Sequence, residues 1–159
     1  MLFRSSVLLL LCSNCMAEPD WEGAFDTISI SADQAREDAE SGVLHLDGNF
    51  VMQSEKWRLT SLRATVHGNP TRPDQILLEG NPARFTFLSS DPDVEESIEA
   101  TALEVVYRRE ENSLVLSGDA RLTMGDETVQ SKQISYDIAS GRFLAGGDEG
   151  VIIRVPPRD

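Results

Sequence analysis

Leu44-His45-Leu46-Asp47-Gly48-Asn49 decides the fold, because the chain repeats it. The pattern returns as Ile76-Leu77-Leu78-Glu79-Gly80-Asn81 and as Leu114-Val115-Leu116-Ser117-Gly118-Asp119. A weaker copy is Phe143-Leu144-Ala145-Gly146-Gly147-Asp148. The glycines at 48, 80, 118 and 147 stand 32, 38 and 29 residues apart, each followed by Asn or Asp. Between them runs a second element: Ile28-Ser29-Ile30-Ser31-Ala32-Asp33, then Trp57-Arg58-Leu59-Thr60-Ser61, Ile98-Glu99-Ala100-Thr101-Ala102 and Val129-Gln130-Ser131-Lys132. Self-similarity at this spacing marks a stack of one small unit, which buries its apolar face only against its neighbours.

The unit has the pattern of a strand. Apolar and polar residues alternate at Leu44/Leu46, Ile76/Leu78, Phe85/Phe87, Val105/Tyr107, Leu114/Leu116 and Leu122/Met124. Period two sends one set to an interior face and the other to water. The Gly-Asn/Asp step suits a bulge or tight turn, where a positive φ costs Gly nothing and Asn or Asp little. Glu111-Asn112-Ser113 and Ala139-Ser140-Gly141 are turn signals, and Gly68 to Asp74 reads as a loop from its Gly and Pro content. Pro156-Pro157 ends the last strand. Only Ala32 to Glu40 is compatible with a helix, and it is mostly polar and reads as beginning with a turn. Many short strands at regular spacing predict an all-β sandwich, roll or barrel.

Residues 1–17 read as a signal peptide: Arg4 charges the n-region, Val7 to Cys12 is apolar, and Cys15-Met16-Ala17 offers small residues for cleavage. Lipidation of Cys12 or Cys15, or an uncleaved anchor, are the alternatives. Residues 18–26 form a tail and 27–157 the folded domain. Cleavage after Ala17 removes both cysteines, and with them disulfide and thiolate chemistry. It also removes Arg4, leaving 13 basic against 27 acidic side chains. That balance argues against nucleic acid, which is held by neutralising its phosphates. Ser89 to Glu96 is an acidic loop, read as a solvated hairpin tip rather than a cation site.

Several of these segments carry a family resemblance. Ile28 to Asp33, Leu46-Asp-Gly48-Asn-Phe50-Val51, Leu78-Glu-Gly80-Asn-Pro82-Ala83-Arg-Phe85, Leu116-Ser-Gly118-Asp-Ala120, Ile134-Ser-Tyr136-Asp137 and Val151 to Pro156 resemble the LptA/OstA family of periplasmic lipopolysaccharide-transport proteins. The resemblance implies an antiparallel β-jellyroll, a slightly open V-shaped sandwich of repeated short strands. It implies that the acyl chains of lipid A sit between the two sheets, and that the protein works in the periplasm. The implied partners are an inner-membrane anchored receptor of the same fold and an outer-membrane lipopolysaccharide translocon, joined head to tail, with a head-to-tail homo-oligomer also open. Transport would be driven by an upstream ATPase, since no nucleotide motif occurs here. Strand-to-strand joining fits a stack whose terminal strands leave unpaired edges.

By motif position, Ile28, Ile30, Phe85 and Tyr107 match lipid-facing positions of the family. Phe87, Leu116, Leu122, Tyr136 and Phe143 share their inward parity. Each is equally readable as an ordinary core residue. Arg84, Arg108, Arg109 and Arg121 lie near strands, but period two turns most of them outward, so acyl binding is expected rather than headgroup recognition. Each acyl CH₂ buried contributes about 0.8 kcal/mol, enough for affinity without a polar contact. No catalytic, metal or cofactor site is expected. His45 and His67 lack a nucleophilic partner at a recognisable spacing. Gly146-Gly147-Asp148-Glu149 shares letters with a cyclic-dinucleotide synthase signature but closes the fourth repeat of a β-chain. The alternative roles are a structural or adaptor β-protein with a dry core, and a membrane-anchored receptor of the same fold.

Overall fold

A computed structural model describes residues 28–87 and 97–157. The leader, the 18–26 tail and the acidic loop lie outside the described residues. β1 (Ser29–Ser31) and β2 (Gln34–Glu37) both pair with β3 (Leu44–Gln53). From there β4 (Trp57–Asn69), β5 (Arg72–Phe87), β6 (Ile98–Arg108), β7 (Ser113–Met124), β8 (Glu127–Asp137) and β9 (Arg142–Arg154) follow in chain order. Each pairs antiparallel with its predecessor in one open sheet of nine strands. This is the OstA-like β-jellyroll, drawn as an up-and-down meander that folds over on itself.

The fold-over is made by the repeat. At each Gly-Asn/Asp step the register slips: between Asp47 and Phe50, Glu79 and Ala83, Ser117 and Ala120. The unpaired residues form a row of bulges across the sheet, and Gly48, Asn49, Gly118 and Asp119 take positive φ there. At Gly48 and Gly118 glycine is needed twice over. Their φ values are 78° and 77°, and an added Cβ would lie 2.4 Å from Asp33 Oδ2 or 3.0 Å from Leu103. Runs that look like separate short strands, such as Ile76–Leu78 and Phe85–Phe87, are therefore two halves of one long strand.

The bulge also resets parity. In β5 the buried residues flanking the bulge are Ile76 and Leu78, then Ala83 and Phe85, an odd shift. Unbroken alternation would have turned Phe85 out to the face of Leu77. With the reset, one face of the whole sheet is apolar. Leu46, Ala64, Leu78, Val105, Leu116 and Ile134 line up across one half beside the bulges. Met52, Leu59, Phe85, Ala100, Leu122 and Val129 line up across the other. Cross-strand contacts of this kind are the unit of sheet stability.

Ala32 to Glu40, helix-compatible by pattern, begins with a bend at Asp33 and then forms β2, because pairing with β3 satisfies its backbone. The turn that follows is fixed by Asp38, whose Oδ1 accepts from the backbone N–H of Glu40 and Ser41 at 2.9 and 3.0 Å. Gly68 to Asp74 is mostly strand: β4 runs to Asn69 and β5 begins at Arg72, around a tight Pro70-Thr71 turn. There the Asn69 Oδ1 accepts from the Thr71 N–H at 2.9 Å, so a side chain replaces the expected loop.

Candidate functional site

The inward rows beside the bulges are sealed. Leu46, Ala64, Leu78, Val105, Leu116 and Ile134 are each no more than 4% exposed. Towards the strand ends the two halves separate, and a cavity of about 290 Å³ opens between them. Met52, Leu59 and Phe85 form one wall, continued outward by Ile28, Trp57 and Phe87. Ile76, Tyr107, Leu114 and Ile138 form the facing wall. Residues from both sides of the bulge row thus meet across one space, so the sheet is creased along the bulges with the cavity in the V.

The lining is largely apolar, with polar groups at one rim: Thr71, Arg72, Arg109 and Asn112. Arg109 does not turn away as parity suggests. It lies just past the end of β6, where the chain turns: its Nε donates to the Pro73 carbonyl at 3.1 Å and its guanidinium pairs with Asp74. Arg84 pairs outside with Glu99, and Arg108 lies 3.7 Å from Glu111. Burial pushes the Tyr107 phenol above its ordinary value, partly offset by the Arg109 charge. It stays neutral at physiological pH and adds no charge to the wall.

Among the residues singled out by sequence, Ile28, Phe85, Phe87 and Tyr107 line the cavity. Ile30 packs half-buried on the same core, opposite Met52. Leu116 and Leu122 are fully buried and absent from the lining; Leu116 sits in the row against the bulges. Tyr136 is buried and Phe143 half-buried; neither is in the lining, although Tyr136 pairs with Leu114 of the wall. Sequence reasoning passed over Trp57, Met52, Leu59, Ile76, Leu114 and Ile138. Parity alone could have found Trp57, Leu59, Ile76 and Leu114; Ile138 lies just past the end of β8, where alternation gives no signal.

The chemistry available is that of a container. An apolar cavity between sheet halves, rimmed by a few polar groups, has the lining chemistry common to sites for apolar ligands. The model of the family described as "LptA/(LptD N-terminal domain) LPS transport protein" matches residues 29–142, and the chain belongs to that family. The family is one of lipopolysaccharide transport, not of catalysis. Among solved structures, the chain is similar to LptH, the LptA-homologous periplasmic component of the lipopolysaccharide transport device from Pseudomonas aeruginosa. Identity is 22%, the TM-score is 0.73, and the match covers 83% of this chain and 96% of LptH, which establishes the shared fold. No curated protein matches significantly.

Proposed function

We propose that this chain is a periplasmic bridge that holds the acyl chains of lipopolysaccharide in the cavity and passes the lipid from inner to outer membrane. Its neighbours are an inner-membrane receptor of the same fold and an outer-membrane translocon, joined by strand addition at the sheet edges. The observation that carries the reading is the meeting of both sheet halves in one apolar cavity, in a chain of a lipopolysaccharide-transport family. The cavity lies near the lower end of the about 300–1,000 Å³ of small-molecule sites, so it takes part of a lipid unless the V widens.

Incubation of the mature protein with lipopolysaccharide, followed by isolation of the complex, tests this. Ile28→Asp and Phe87→Asp place a charge on half-buried lining positions and should weaken binding more than about tenfold. Leu144→Asp, on the outer face and 76% exposed, should bind like the parent. Equal binding by all three variants would rule out the cavity as the lipid site.

A further inference from the structure

Among the described residues β9 is the last strand of the sheet, with β8 on one side and no strand on the other. It is apolar on both faces: Ile153 inward, Leu144 and Ile152 outward, all more than half exposed. Such an edge is a template for another strand. Its middle carries charge. Arg142 to Gly146 and Val151 to Arg154 pair with β8, leaving Gly147-Asp148-Glu149-Gly150 opposite Lys132 alone. The Ser131 hydroxyl holds the base of this bulge, donating to the Gly146 carbonyl at 2.8 Å. Lys132 Nζ stands 3.5 Å from Asp148, whose side chain is 96% exposed. Among the described residues no ion pair reaches Glu149.

The opposite edge is acidic at the same level. Asp33 breaks the line between β1 and β2, its N–H donating to the Gly48 carbonyl at 2.8 Å. Its carboxylate accepts from Asn49 Nδ2 at 2.8 Å, which fixes it in the bulge row. The meander makes β1 and β2 run antiparallel to β9, so a second copy could continue the ladder. With the bulge rows aligned, Asp33 of that copy would face Asp148 and Glu149. Arg142 against Asp38 would be one favourable pair, but at the exposed strand tip.

We infer that β9 selects a strand of a different protein, one carrying lysine or arginine opposite Asp148 and Glu149, over a second copy of this chain. The inference rests on the strand-addition reading above and adds the chemistry of the partner. Like charges facing each other across a strand pair disfavour the self-stack, and opposite charges favour the foreign strand.

Two labelled peptides test it against the full chain: a copy of Ile28 to Glu40, and the same peptide with Asp33→Lys. The lysine peptide should bind about tenfold tighter at low ionic strength, since the contacts are exposed charge pairs. The preference should fade in about 0.5 M salt and in the Asp148→Asn/Glu149→Gln chain, whose substitutions sit on the exposed bulge. Equal affinity for the two peptides overturns the charge selection while leaving strand addition standing. Binding of neither peptide sinks strand addition itself, and the selection with it.

Discussion

Phe87 and Leu122 face the same way from the sheet, and only what lies across from them differs. Leu122 meets close-packed neighbours and is fully buried; Phe87, at a strand end, meets the cavity. Single side chains also set the turns. Asp38, just past β2, and Asp137, the last residue of β8, each accept backbone N–H bonds from the turn that follows. The N–H groups of Ser41 and Glu40 hold the Asp38 carboxyl below the ordinary carboxylate value, and the Ser140 N–H does the same for Asp137. A lowered folded-state value means stability that is present above the unfolded value of 3.8 and lost as pH falls through the folded one. Urea midpoints should therefore fall as pH drops from 3.8 through that window. The Asp38→Asn/Asp137→Asn chain should show a shallower fall; an identical pH profile would remove these turns from the acid response.

At the scale of the strand, the bulge is the decisive element. Gly118 and Gly125 both take positive φ, 77° and 54°, so alanine is strained at either. They differ in surroundings: a Cβ at Gly118 would press on Leu103 at 3.0 Å, whereas nothing lies within 4 Å at Gly125. Gly125→Ala should cost about 1–2 kcal/mol from backbone strain alone. Gly118→Ala should cost more, read from urea unfolding, because Leu103 must also yield. The bulge row was legible in the sequence as four Gly-Asn/Asp steps, and the strands as alternation about them. What alternation could not show is that Ile76 and Phe85 sit on one strand with parity reset between them. That reset fixes which residues meet across the crease, so Leu116 and Phe87 looked alike until the two halves were placed. Trp57 has the parity of Leu59, but parity alone does not say what it meets. Its place in the wall comes from pairing with Phe87, a contact between distant parts of the chain.

At the scale of the whole molecule, the cavity and the edge are one surface seen at two places. The inward face that forms the walls near β1 to β7 continues to Phe143 and Ile153 on β9. There it runs out: Ile153 pairs with fully buried Val129 yet is itself 52% exposed, because no further strand covers it. A partner strand added at β9 would close that end and extend the apolar face into the partner, which is what passing a lipid along requires. Uptake and hand-over should then separate. Ile153→Asp introduces a charge where the chain already touches water, so the isolated protein should keep its fold and its lipopolysaccharide binding. Transfer to a partner should fall, since the charge would be buried at the junction, at a cost of several kcal/mol if left unpaired. Phe87→Asp should show the reverse order of loss, failing at uptake before transfer is reached. Measuring retained lipopolysaccharide and its passage to an acceptor of the same fold distinguishes the two. Parallel loss of both steps in the Ile153→Asp chain would mean that the edge and the cavity are a single binding site rather than successive stations.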